Sequence, residues 1–430
     1  MGTSAPPSGM AADAAYEGGA GDGAAMGSAA FSAADMEEAA PEPAMAKVAE
    51  AESTAMADDD DEEAGFARGA QAGLLTAGTF DDTLNPATFA SFMQSMAGND
   101  ATASVAQFLG GPISTVTVVD GSGRPVADSL VTVRADGTSR VVRTGTDGRA
   151  IIVSGYDHPR GAQLQVGVDG QSWVSLGEGS ARRIATQRRA AAIRAMDVAI
   201  VIDATGSMGD ELEYLKVELR SIAKEIKREF PNVDQRFALV AYRDQGDQYV
   251  TRKFDFTANM AEFQRTLGRQ RADGGGDYPE AMDAALEDAN QLSWRNAPGT
   301  ARVAFVVADA PPHAQDMVGT MTAVESLRQK GVAIYPVAAS GVAAEAEMIM
   351  RAAAATTGAQ YIFLTDDSGV GNGHAEPHIP CYAVQHLRSA MSRMLTTELS
   401  GRRIEADPRR TIRSVGKNNA GVCAPLRIAQ

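Results

Sequence analysis

The sequence predicts a doubly wound α/β domain with a mostly parallel sheet, preceded by a small all-β sandwich and a disordered acidic N-terminal tail. Three observations predict it. From Met196 onward, short continuous apolar runs alternate with amphipathic helical stretches. Between residues 113 and 176, short β-branched runs are separated by Asp-Gly turns. Residues 1–66 hold fifteen Asp or Glu against one Lys and contain no Leu, Ile or Trp.

The 430 residues, 44% hydrophobic, suffice for two or three domains with real cores. The formal net charge is −16, of which −14 lies in residues 1–66, leaving the rest near −2. The acidity belongs to a tail, and an acidic chain argues against nucleic acid as a ligand. No apolar run approaches the roughly 18 residues of a membrane helix, so no transmembrane segment is expected in this chain. The start, Met1-Gly2-Thr3-Ser4-Ala5-Pro6-Pro7, has neither a charged n-region nor an apolar h-region. Two locations stand: extracytoplasmic (periplasm or cell surface), with the leader not part of this chain, or cytoplasmic. Cys381 and Cys423 allow a disulfide in an exported protein or two unpaired thiols.

Residues 1–70 read as the disordered Ala/Gly-rich acidic tail, too poor in apolar side chains to offset its ordering entropy. Over residues 71–110, Leu74, Leu75, Phe80, Leu84, Phe89, Phe92 and Met93 are spaced for one or two short helices that dock on a neighbour, with Asn85-Pro86 as a helix start. Residues 111–180 read as the β-sandwich, with breaks at Asp120-Gly121, Asp136-Gly137 and Asp147-Gly148. Residues 181–195, with Arg182, Arg183, Arg188, Arg189 and Arg194, read as a basic linker. Residues 196–400 form the α/β domain and 401–430 a C-terminal extension.

Within the α/β domain, Val198–Ile202 is a strand buried on both faces. Leu212, Leu215, Leu219, Ile222 and Ile226 recur at steps of 3 and 4, one face of a helix over Asp210–Phe230. Phe237–Tyr242 is the next strand and Tyr249–Phe256 an antiparallel edge. Helices follow over Pro279–Leu292, Ala323–Gln329, Glu345–Thr357 and Val384–Leu399. Strands are expected at Val303–Ala308, Val332–Val337 and, last, Tyr361–Leu364. Such alternation implies a parallel sheet wrapped by helices, with ligands at the carboxyl ends of its strands.

Three loops at those ends are rich in oxygen ligands. The first reads Asp203-Ala204-Thr205-Gly206-Ser207, the second Gly274-Gly275-Gly276-Asp277-Tyr278-Pro279-Glu280, and the third begins at Asp309. One carboxylate and two hydroxyls at alternate positions form an oxygen set suited to a hard cation. This D-x-T-x-S resembles the D-x-S-x-S signature of the von Willebrand factor A and integrin I domains, where it forms a metal-ion-dependent adhesion site. The resemblance implies a metal held by Asp203, Thr205, Ser207 and Asp309, with Mg²⁺ or Mn²⁺ as the ion and Ca²⁺ as a third candidate. Family members often supply a Thr from the second loop; none is present here, and Asp277 is the expected substitute. The stretch from Val118 to Ile152 likewise resembles carboxypeptidase-regulatory or collagen-adhesin B-type modules, which serve as stalks or spacers.

Other groups read as structural. Arg243 and Asp244 look like a surface ion pair. His374, His378 and His386, near Glu376 and Cys381, match no zinc spacing. His313 either tunes the metal's surroundings or is simply exposed. Walker A, H-E-x-x-H and G-x-S-x-G motifs are absent from the sequence, so no enzyme is expected. The implied function is metal-dependent binding of a protein partner through its Glu or Asp carboxylate, without nucleic acid. The alternative is a cytoplasmic adaptor of an AAA+ ATPase or chelatase-type complex.

Overall fold

The computed structural model describes residues 73–171, 173–369 and 373–424; the expected acidic tail lies outside them. In chain order the first elements are β1 (Thr76–Phe80), α1 (Pro86–Met96) and α2 (Ala103–Leu109). Seven short strands follow: β2 (Ile113–Val119), β3 (Leu130–Ala135), β4 (Thr138–Arg143), β5 (Arg149–Val153), β6 (Leu164–Val168), β7 (Val174–Leu176) and β8 (Ala181–Ala185). The alternating part begins with β9 (Ala195–Asp203), α3 (Gly209–Glu229), β10 (Asp234–Tyr242), β11 (Thr251–Thr257), α4 (Met260–Gly268) and α5 (Met282–Asn290). It continues with β12 (Thr300–Ala308), α6 (Met317–Gln329), β13 (Ala333–Ala338), α7 (Ala344–Thr357) and β14 (Tyr361–Thr365). The described chain closes with β15 (Tyr382–His386), α8 (Leu387–Ser400), β16 (Arg413–Val415) and a two-residue ladder of β17 (Asn418–Asn419) and β18 (Val422–Cys423).

Nine strands form one mixed sheet in the order β11-β10-β9-β12-β13-β14-β1-β15-β16. β10, β9, β12, β13 and β14 are parallel, as continuous apolar strands covered on both faces should be. β11 is the antiparallel edge expected from Tyr249–Phe256. The five apolar residues of the α3 stripe are all nearly fully buried.

The margins differ from the sequence reading. Residues 71–110 do supply α1, with Pro86 in its first turn, and α2. They also supply β1, which lies between β14 and β15. Gly78 makes this possible, because a Cβ there would sit 2.2 Å from the ring of Phe363. The helix expected from Val384 begins three residues later, and Tyr382–His386 is a strand instead. The extension after residue 400 returns to the same sheet as β16. Cys381 and Cys423 are joined in a disulfide.

β2 to β8 form two small sheets, β5-β2-β8 and β4-β3-β6-β7, around a shared core that includes Val116, Val131, Ile152 and Val166. Asp136 and Gly137, both at positive φ, make the two-residue turn from β3 to β4. Ala181–Ala185, expected to be linker, is the edge strand β8, paired parallel to β2. Its outward arginines conceal any strand periodicity.

The stalk expected from the module's resemblance is corrected. The sandwich is an insertion between β1 and β9, packed on the α/β layer. Arg328 of α6 holds Asp157 at 2.7 Å, and Arg302 of β12 holds Asp128 at 2.9 Å. Arg143 donates to the Gln329 carbonyl at 2.9 Å, and Thr146 to Glu398 at 2.7 Å. These contacts cover the amino ends of β12 and β13, the end of the sheet opposite the three loops. At the other flank Arg351 of α7, fully buried, grips Asp82 at 2.6 Å and Glu347 at 2.9 Å and lies over the ring of Phe92.

Arg328 also donates to Glu325 and to the Ile151 carbonyl, so its removal leaves Asp157 and Glu325 only their salt bridges to the partly exposed Arg140, at 3.3 and 3.1 Å. Arg328→Met should destabilise the protein by about 3 kcal/mol, the low end of the cost of breaking a buried pair from one side. Denaturant unfolding, with hydrogen exchange of β5 amides to localise the loss, checks this.

Candidate metal site

β9 ends in Asp203, and the chain then stays extended through Thr205 before a single 3₁₀ turn leads into α3. The extended stretch lets Thr205 fold back: its N–H and its hydroxyl both donate to Asp203 Oδ1, at 2.8 and 2.6 Å. Thr205 Oγ1 lies 3.1 Å from Ser207 Oγ. Asp203 and Thr205 are buried, while Ser207 faces solvent. β12 runs beside β9, pairing Val307 with Ile202, which brings the following Asp309 to the same end. There its carboxyl is hydrogen-bonded by Ser207. Four of the five expected ligands, Asp203, Thr205, Ser207 and Asp309, therefore form one connected group.

The fifth does not join it. Asp277 is exposed, and among the described contacts none ties it to the other four. The second loop lies against the first, with Gly206 N–H donating to the Gly274 carbonyl at 3.0 Å. Gly274 and Gly275 turn at positive φ, carry Asp277 outward and return the chain at Glu280, whose N–H donates to Pro311 at 2.9 Å. A Cβ on Gly275 would stand 2.9 Å from Glu280 Oε1 and 3.1 Å from Thr205 Cβ, so that glycine leaves the space in which the two side chains meet. Glu280, only 3% exposed, is the acid this loop turns inward. A sequence signal existed: Glu280 directly precedes Ala281, Met282, Ala285 and Leu286, the buried stripe of α5.

Burial, then the charge of Asp309, pushes the Asp203 carboxyl up to about 7. Burial, then Asp203, Asp244 and Asp309, pushes Glu280 up to about 9. Burial also raises Asp309. Asp203 Oδ2, Glu280 Oε2 and Asp309 Oδ1 are each buried without a hydrogen-bond partner. Several buried acids elsewhere carry guanidinium partners, Asp82 with Arg351, Asp157 with Arg328, and Asp197 with Arg236 and Arg295; buried Glu398 instead accepts from Thr146 and Tyr335, and Glu218 keeps an unpartnered oxygen of its own. Three acids raised together, each with an orphaned oxygen, fit a cation held by carboxylates and hydroxyls. Among the described residues, no group of three or more His, Cys, Asp or Glu forms a metal cluster by itself. A set of this kind therefore depends on Thr205 and Ser207.

Arg243 and Asp244 are not a surface pair. Both are buried. Arg243 donates to the carbonyls of Ala204 and Arg271, at 3.1 and 2.9 Å, and so fastens the first loop to the second. Asp244 Oδ1 lies 2.7 Å from His313 Nε2. His374 meets Glu211 at Nε2, 3.0 Å, and Asp366 at Nδ1, 2.8 Å. Burial opposes its charge, but the two carboxylates outweigh it and raise its pKa. Ser340 Oγ lies 3.3 Å from the same Nε2, yet Glu211 already occupies that nitrogen, so the row Ser340–His374–Asp366 offers no free base for a nucleophile. His378 is bound to Glu347 and stacked on Phe92, and Cys381 is in the disulfide, so they form no zinc site with His374.

Residues 197–371 match the von Willebrand factor A domain family. A putative ariadne-like RING finger protein of Acanthamoeba polyphaga mimivirus is 35% identical over 118 residues, 27% of this chain and 11% of that protein. The alpha-protein kinase vwkA of Dictyostelium discoideum is 32% identical over 127 residues, 28% of this chain and 20% of the kinase. The human von Willebrand factor A domain-containing protein 7 is 32% identical over 136 residues, 32% of this chain and 14% of that protein. The matched stretch thus spans a fifth or less of each relative. A doubly wound sheet with D-x-T-x-S at its first carboxyl end and a family match over that same region make this part of the chain a von Willebrand factor A domain.

Proposed function

We propose that the carboxyl end of the sheet is a divalent-cation-dependent protein-binding site, held by Asp203, Thr205, Ser207 and Asp309 with Glu280 beside them. The observation that carries this reading is the set of orphaned oxygens on Asp203, Glu280 and Asp309, buried with no guanidinium or ammonium among their described contacts. Mg²⁺ or Mn²⁺ suits an all-oxygen set; Ca²⁺ is the third candidate. When bound, the ion supplies an acceptor for a Glu or Asp carboxylate of the partner. The chain's own groups do the positioning. Thr205 fixes the Asp203 rotamer, Arg243 ties two loops together, and Tyr278 anchors its loop by donating to the carbonyl of Asp309 at 3.0 Å.

The partner is a protein, and no catalytic step is assigned. The disulfide favours an extracytoplasmic setting, where such bonds persist, over a cytoplasmic ATPase adaptor. No helix among the described residues is long and apolar enough to cross a membrane.

Asp203→Asn keeps the acceptor for Thr205 and removes the charge. It should abolish Mn²⁺ binding in calorimetry while the metal-free protein stays folded; unchanged affinity overturns the reading. Glu280→Gln should separate two effects. With its carboxyl pushed up to about 9, Glu280 is already neutral in the metal-free protein at pH 7, so the neutral Gln leaves that form about as stable as wild type, while cation affinity falls about 10–100-fold, the range for groups that support a metal site. Melting curves with chelator and with excess Mn²⁺ measure both. An equal cation-induced shift in wild type and variant excludes Glu280 from the site.

A further inference from the structure

Among the described residues, Arg393 of α8 has no acid of its own. Its Nη1 donates to the Ile404 carbonyl at 3.1 Å and its Nη2 to Thr79 Oγ1 at 2.9 Å. Its Nε is buried without a partner. The nearest candidates for a counter-charge are taken: Arg403 holds Glu405 at 2.8 Å and also Asp81. Burial, then the charge of Arg403, pulls Arg393 down to about 10, more than the nearby charge of Glu405 restores. The buried guanidiniums of Arg302, Arg328 and Arg351, by contrast, each meet a carboxylate within 3 Å.

Arg393 lines a cavity of about 400 Å³ between α8, the β1–β15 end of the sheet and the segment after residue 403. That volume is within the range of small-molecule sites. Thr79, Thr411, Ser414 and Asn418 provide hydroxyl and amide groups on its wall, and Ala406 and Pro408 provide apolar surface. The guanidinium fork matches a carboxylate or a phosphate. Asp81 and Glu405 also line the cavity, and they would repel a dianion more strongly than a monoanion. We infer that this cavity binds a small organic monocarboxylate, with the carboxylate on Arg393 and the organic body against Ala406 and Pro408. The site lies apart from the cation-binding loops and does not need the ion.

The test melts the full disulfide-bonded chain in the presence of chelator, so that carboxylate binding at the cation site is excluded. Sodium butyrate and sodium benzoate are compared with chloride and phosphate at equal ionic strength. The expected result is a saturable rise in Tm with the carboxylates, beyond that with chloride or phosphate. Arg393→Met should abolish it and Arg393→Lys retain part of it. Ser414 is exposed, so Ser414→Trp should fill the cavity from its rim without disturbing the core, and should also remove the shift. If Arg393→Met fails to fold, Ser414→Trp decides. Carboxylates no better than chloride, a phosphate-selective shift, or a shift that survives in the folded variants overturns the assignment.

Discussion

A carboxylate cannot be buried without compensation, and that constraint organises this molecule. Asp82, Asp157 and Asp197 meet it with arginines reaching across element boundaries, so each pair also acts as a fastening. Arg351 ties the segment after β1 to α7; Arg328 ties the sandwich to α6. At the carboxyl end of the sheet the same constraint goes unmet by protein groups. Asp203, Glu280 and Asp309 crowd together, and the nearest structural arginine, Arg243, spends its donors on the carbonyls of Ala204 and Arg271 rather than on the acids. Its placement builds the loops without neutralising them.

The insertion of the sandwich follows from the same division. β1 enters the sheet before the sandwich begins, and β15 and β16 enter it after α8, so both margins of the chain are committed to the α/β layer. The module between β1 and β9 is therefore tethered at both ends. It packs where β12 and β13 start, while the candidate site lies where β9 and β12 finish. Nine-residue strands at about 3.3 Å per residue separate the two ends by roughly 25–30 Å. A module so placed braces the base of the sheet and leaves the loops free to meet a partner.

The core of the fold was legible because its signals are local. Val198–Ile202 is apolar without interruption, and the α3 stripe keeps its 3-4-3-4 steps, so period alone separates strand from helix. The margins were not, because they depend on partners distant in sequence. Thr76–Phe80 contains a glycine and small residues, and only the ring of Phe363, almost three hundred residues later, explains Gly78. Tyr382–His386 runs into a true helix, so Val384 joins the helical pattern of Leu387, Met391 and Met394 by accident of phase. Ala181–Ala185 is an edge strand whose arginines face water. The disulfide joined two cysteines whose pairing the spacing left open.

The geometry of the candidate site was legible in its first and third loops for a similar reason: Asp203 and Asp309 each follow an apolar strand, and strand direction aims both at one place. The second loop defeats such reading because three glycines uncouple direction from order. Asp277 stands first in the sequence, but the positive-φ turns at Gly274 and Gly275 place Glu280 inward. The exchange of an expected Thr for a buried acid alters the charge balance rather than the donor chemistry. Were a dication held there with Asp203, Asp309 and Glu280 all ionised, the proposed site would carry one net negative charge, whereas two acids and a Thr would leave none. On the proposed reading an incoming carboxylate would meet a less attractive centre, and the ion itself would be held more firmly. Selectivity for a partner would then come more from the exposed surroundings, Tyr278 and Asp277 among them, than from a metal's pull.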